Sequence, residues 1–201
     1  MNSAVFCLHY LPNIEWYCNF IRYEKVYLER HENFEKSSYR NRCEILGANG
    51  PLTLSVPILG GRDHHRSYTA TEIFYNNNWQ RIHWNSIMSA YGKTPFFEYY
   101  APLFNKHYCE RKTLLFDLNM GLLLEINTIL KLKIAVELTE TYQKDITESI
   151  DQRILQPIEL SRYYQAFENK HGFVSNLSIL DLIFHEGPNA TRYLLQQKSP
   201  A

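Results

Sequence analysis

Residues Ala4-Val5-Phe6-Cys7-Leu8 are apolar without alternation, and the run stops at His9-Tyr10-Leu11-Pro12-Asn13. A strand with one wet face alternates. An unbroken apolar run fits a strand covered on both faces, as in a parallel sheet flanked by helices. Pro12 lacks a backbone donor and pushes Leu11 towards extended geometry, so the strand ends there. Asn13 is suited to cap a helix, because its side-chain oxygen can take one of the orphan N–H groups of the first turn. From Ile14 to Tyr23, the apolar residues Ile14, Tyr17, Cys18 and Ile21 fall at i, i+3, i+4 and i+7. That spacing predicts a helix, with Trp16 and Phe20 widening its buried stripe and Glu15, Asn19 and Arg22 opposite. Lys25-Val26-Tyr27-Leu28 then reads as a second strand.

Two strands joined by a crossover helix run parallel, so both end at one edge of the sheet. Open α/β sheets bind ligands outside those carboxyl ends. His9 and Tyr10 should therefore face the same crevice as Glu29, Arg30 and His31. His9 reads either as a proton-handling group or as a hydrogen-bonded structural residue, and Glu29-Arg30-His31-Glu32 either as a site wall or as a solvated loop. Lys36, Tyr39, Arg40, Asn41 and Arg42 follow, with three cations within seven residues. An Arg fork matches carboxylate or phosphate and Lys adds a point charge, so this cluster points to an anionic small-molecule ligand. Pairing with Glu35 and Glu44 at the surface is the alternative.

The rest of the chain supports an α/β fold class: a mixed, largely parallel sheet with flanking helices and a helical C-terminal part. Leu52–Ile58 and Thr69–Tyr75 read as strands. Between them, Arg62 to Tyr68 is a polar loop carrying His64-His65, a weak metal signal because zinc sites need three or four ligands; no metal site is expected. Helices are predicted over Trp79–Tyr91, ended by Gly92, over Phe96–His107 and over Lys112–Lys131. His83 lies on a face shared with Trp79, Ile87 and Tyr91; it is either a core-edge histidine or a substrate contact or general base, since His titrates near neutrality. Ile134–Leu138 reads as a last strand and Thr139–Pro157 as a polar loop with some helical turn. Ser178 with Asp181 resembles a capping box, and the helix that follows stops at Gly187-Pro188. The 201 residues suit one domain, with residues 1–75 mainly sheet-forming and 76–201 mainly helical. No Walker loop, dinucleotide fingerprint or nucleophile elbow is present, and the sequence leaves the cofactor unknown.

With 21 basic and 21 acidic side chains the formal charge is zero, which argues against a surface given over to nucleic acid or membrane. No apolar run reaches transmembrane length and no secretory leader is evident. Cys7, Cys18, Cys43 and Cys109 have no CxxC spacing and read as free thiols in a reducing cytoplasm. A homo-oligomer is compatible with the aromatic C-terminal helices.

Several of these stretches carry a resemblance to the WbqC-like family. They are Tyr10-Leu11-Pro12, Trp16-Tyr17, Val26-Tyr27-Leu28-Glu29, Lys36 and Tyr39-Arg40-Asn41-Arg42, then Gly50 and Leu52-Thr53-Leu54-Ser55-Val56-Pro57. The Trp79–Tyr91 segment with His83, Lys93-Thr94-Pro95-Phe96-Phe97 and Asn176–Leu182 extend it over nearly the whole chain. Cys7-Leu8-His9 stands where the family has Gln-Pro, Glu29 stands for its Asp, and Cys43 ends its Arg-Asn-Arg run. Members keep company with genes for surface-polysaccharide sugars. The resemblance therefore implies modification of an activated sugar, by acyl or aminoacyl transfer. On that reading Lys36, Arg40 and Arg42 bind an anion, Tyr10, Glu29, Tyr39 and Asn41 orient the ligand, and His9 or His83 handles protons. The alternative is a non-catalytic binding or partner protein.

Overall fold

In the computed structural model, which describes residues 3–60, 66–142, 150–151, 153 and 158–197, the first apolar run forms β1 (Ser3–Cys7). Helix α1 (Ile14–Phe20) and strand β2 (Lys25–Glu29) follow, and β2 pairs with β1 in parallel, Val5 opposite Tyr27 and Cys7 opposite Glu29. Next come an antiparallel hairpin, β3 (Arg42–Gly47) and β4 (Gly50–Ser55), and three helices, α2 (Trp79–Tyr91), α3 (Phe97–Cys109) and α4 (Leu115–Ile129). Strand β5 (Ala135–Leu138) and the two-residue β6 (Ile150–Asp151) complete a parallel sheet of order β5-β2-β1-β6. Helices α5 (Glu168–His171), α6 (Ile179–Glu186) and α7 (Ala190–Gln196) form the helical C-terminal part. The expected α/β architecture is thus found, with its antiparallel component confined to the separate hairpin. His64-His65 and most of the polar stretch 139–157 lie outside the described residues.

The core explains the order of the first elements. Ala4, Phe6, Leu8, Val26 and Leu28 are fully buried against Trp16, Tyr17 and Phe20 of α1. Trp16 stacks on Phe20 with ring centroids 4.6 Å apart and meets Phe6 edge-on at 5.2 Å. Such pairs add about 0.5–1.5 kcal/mol beyond burial. The Trp16 indole donates to the Cys7 carbonyl at 3.1 Å, which fixes the helix to the end of β1. Asn13 caps α1 as expected: its side-chain oxygen accepts from the Trp16 N–H at 3.0 Å. Asn13→Ala should lower stability by about 1 kcal/mol, read as a lower urea midpoint with an unchanged slope.

Four sequence expectations need correction. Asn19 is buried, because its amide turns back to donate to the Glu15 carbonyl at 2.9 Å instead of facing water. Residues 69–75 are not a strand: Tyr68–Ala70 is a 3-10 turn, followed by single bridges Ile58–Ile73 and Glu72–Leu114. The β-branched content there buries Thr71 and Ile73 without building a ladder. Arg42–Gly47, which carries no sequence expectation beyond Arg42, is strand β3, with Cys43, Ile45 and Leu46 buried and Glu44 exposed. The Ile134–Leu138 strand exists but is not the last, since β6 pairs beyond it in sequence.

The capping box at Ser178 is the fourth. Ser178 accepts from the Leu180 N–H at 3.4 Å, but the Asp181 carboxylate points into the core. It accepts from the Tyr163 hydroxyl at 2.5 Å and the Gln165 amide at 3.1 Å, which is a better bargain for a fully enclosed carboxylate than a terminal backbone N–H. Gly187 ends α6 as expected. Its φ is +51° and a Cβ there would lie 2.5 Å from the Phe96 ring, so both backbone and space demand glycine.

Candidate functional site

Strand β1 and the segment after β2 open onto a cleft of about 680 Å³ at the carboxyl edge of the sheet. Part of its lining is a hydrogen-bonded group of four side chains. Arg40 grips Glu32 through two bonds, Nε to Oε1 at 2.8 Å and Nη2 to Oε2 at 2.7 Å. The remaining Arg40 nitrogen, Nη1, meets Glu35 at 3.1 Å. The Cys7 thiol donates to Glu32 Oε2 at 3.1 Å. Burial works against the charge on Arg40, but the Glu32 carboxylate overrides it and holds the guanidinium firmly charged. Burial, reinforced by Glu32, pushes the Cys7 thiol far up, so the cleft holds a thiol and not a thiolate nucleophile.

His9 and Tyr39 form one wall. Their ring centroids are 5.6 Å apart and the planes 32° from parallel. Tyr39 is 48% exposed, an aromatic face turned to solvent. Its carbonyl accepts from the Tyr10 N–H at 2.8 Å, which ties the 37–40 turn to the end of β1. His9 Nδ1 is buried without a partner. Burial, then the nearby Arg40 charge, lowers the His9 pKa to about 3, so its imidazole is neutral at physiological pH. The opposite wall is a reciprocal clasp: Asn176 donates to Glu15 Oε2 at 2.9 Å while the Glu15 N–H donates to Asn176 Oδ1 at 3.0 Å. The second Glu15 oxygen accepts from the Ile158 N–H at 2.6 Å.

The remaining expected residues disperse. Tyr10 does not line the cleft. Its hydroxyl is buried and shares hydrogen bonds with His83 Nδ1 at 2.9 Å and the Tyr108 hydroxyl at 2.7 Å. His83 is 4% exposed and edge-on to Trp79, and burial, opposed by the Ser55 backbone, lowers its pKa to about 4. The two histidines are therefore not in one site. Glu29 is fully buried and accepts from the His31 N–H at 2.7 Å and the Thr139 hydroxyl at 2.9 Å, joining the ends of β2 and β5. Arg30 and His31 do not line the cleft. Asn41 is also buried, donating to the Val56 carbonyl at 2.9 Å as a brace between the turn and the end of β4. Lys36 is exposed and lines no described cavity. Arg42 lines a second cavity of about 260 Å³ that shares Ser37, Ser38 and Tyr39 with the cleft. Among the described residues no group of three or more His, Cys, Asp or Glu side chains is placed to hold a metal ion. No described helix is long and apolar enough to cross a membrane.

Sequence reasoning named Glu32 only within a stretch read as a site wall or a solvated loop, and missed Cys7, Tyr142, Arg153 and the Glu15–Asn176 clasp. Glu29 and Glu32 are indistinguishable by composition; only the turn after β2 sends one inward and the other to the cleft. Asn176 stands at the head of a run quoted above for its resemblance, and that was the available signal. No curated protein and no solved structure matches the chain. The model of the WbqC-like protein family matches residues 9–165, a span that takes in His9, the Glu32–Arg40 pair, Tyr39 and Arg42, and the chain belongs to that family.

Proposed function

We propose that the protein is a cytoplasmic group transferase that acts on an activated sugar in surface-polysaccharide biosynthesis, with the sugar held in the large cleft. The observation that carries this reading is the exposed Tyr39 ring beside neutral His9, on the wall of a cleft whose lining also offers Tyr142, carboxylates, amides and hydroxyls, together with Cys7, Arg40 and Arg153. A sugar ring has an apolar C–H face that rests on an aromatic ring and a rim of hydroxyls that bonds to such groups. A bare anion would find the Arg40 fork already filled by Glu32 and Glu35. His9 is positioned to take the proton of the sugar hydroxyl or amine that attacks the donor. With a pKa of about 3 it is a weak base, so positioning contributes more than proton transfer. The free cysteines are in keeping with a reducing compartment.

One observation favours binding without turnover: neither the protonated Cys7 nor the weakly basic His9 is a strong catalyst at neutral pH. A panel of nucleotide sugars separates the readings. One member should raise the melting temperature by several degrees at a hundredfold excess over its Kd, about 2.7 kcal/mol, and Tyr39→Ala should abolish the shift. Added acyl or aminoacyl donors should then give turnover, with kcat about 10²-fold lower in His9→Ala. Binding that never leads to turnover supports the second reading, and a panel with no binding sugar rejects both.

A further inference from the structure

The structure separates the three cations that the sequence groups together. Arg40 is neutralised by two glutamates and Lys36 lines neither cavity. Arg42 is different. It opens β3, lines the smaller cavity, and its Nε is buried with no hydrogen-bond partner. No carboxylate lies within ion-pair distance of it among the described residues. A buried guanidinium N–H left unmade is unfavourable, and an oxyanion is the group that best satisfies it.

The surroundings extend this. Ser37 lines both cavities and holds φ at +65°, a left-handed conformation that a serine adopts only under constraint. Ser37 and Thr53 line the same small cavity, and their hydroxyls make no hydrogen bond among the described residues. A phosphoryl group has enough oxygens for a forked guanidinium and two hydroxyls together; a carboxylate has fewer. Tyr39 stands between this cavity and the cleft and borders both.

We propose that the Arg42 cavity is a phosphoryl subsite, and that the ligand is a sugar phosphate ester whose phosphate sits on Arg42 while its sugar lies across Tyr39 in the larger cleft. This rests on the sugar-binding reading of that cleft. Glu44 lines the small cavity too. Its negative charge keeps the cavity close to neutral, so phosphate alone binds weakly and the joined ligand gains from being tethered at both ends.

The test is titration of the full chain with inorganic pyrophosphate, followed by 31P line broadening, with malonate as the carboxylate arm, its binding read by displacement of pyrophosphate. Arg42→Gln should weaken pyrophosphate binding about tenfold or more, and Arg42→Lys, which keeps charge but not the fork, should weaken it less. Glu44→Gln should tighten it by a similar factor, and Arg192→Gln, at an exposed site on α7, should leave it unchanged. Unchanged binding in Arg42→Gln, absent binding in wild type and Glu44→Gln alike, or malonate binding as tightly as pyrophosphate would each overturn the assignment. Pyrophosphate bound at Arg42 with no nucleotide sugar bound would defeat only the sugar reading. A nucleotide sugar bound at full affinity by Arg42→Gln would defeat only the phosphoryl subsite.

Discussion

Glu32→Ala is expected to destabilise the protein by about 3–5 kcal/mol, the usual result of stranding a buried charge. The Arg40 side chain is 11% exposed and draws two of its three carboxylate bonds from Glu32. Glu35 cannot take over, because its side chain is 74% exposed and its charge is screened by water. Glu35→Ala should therefore be worth about 1 kcal/mol at most. Replacing both buried partners by methionine should recover most of the Glu32→Ala loss, since the attraction of a buried pair roughly repays its own desolvation. Urea midpoints at constant slope give all three values. A Glu32→Ala loss below that of Glu35→Ala would show that Arg40 escapes to solvent and that this part of the cleft lining is not a fixed element. The same result bears on assays: a fall in activity in any Arg40 variant has to be measured on protein shown to be folded.

Acid should unfold the protein through His83. In the unfolded chain a histidine titrates near 6.5, whereas burial holds folded His83 at about 4. As pH falls below about 6.5 the unfolded chain takes up a proton that the native state refuses, so stability is lost steadily down to the folded value. For His83 the loss amounts to roughly 3 kcal/mol. His9, lowered to about 3, acts in the same sense, but its open edge on the cleft admits water and its share is weighed below that of His83. Asp181 acts in the opposite sense, because burial raises its carboxyl and the native state accepts that proton more readily. The informative quantity is therefore the difference between wild type and His83→Gln from pH 7 to pH 4.5. The variant should be less stable at pH 7, by about 1–2 kcal/mol for its disturbed bond to Tyr10, and should show a flatter decline. Parallel profiles would mean that His83 is protonated inside the fold, and its place between Tyr10 and Trp79 would then have to be that of a cation.

Local signals were legible in the sequence because local physics decides them. The apolar run of β1, the Asn13 cap, the periodicity of α1 to α4 and the stop at Gly187 each depend on residues a few positions apart. The parallel pairing of β1 and β2 followed from the connection between them, and with it the location of the cleft and the presence of His9 in it. What only the tertiary structure decided is which polar groups lose water and what they then meet. Arg40 looked like an anion site until Glu32 folded against it. Tyr10 and His83 are 73 positions apart and Glu15 and Asn176 are 161 apart, and no periodicity announces either pair. In an extended chain all these groups are solvated and interchangeable. Desolvation on folding makes each either paired or exposed to a ligand, and Arg42, with its buried Nε still unmatched, is left as the one cation of its loop both enclosed and unpaired among the described residues.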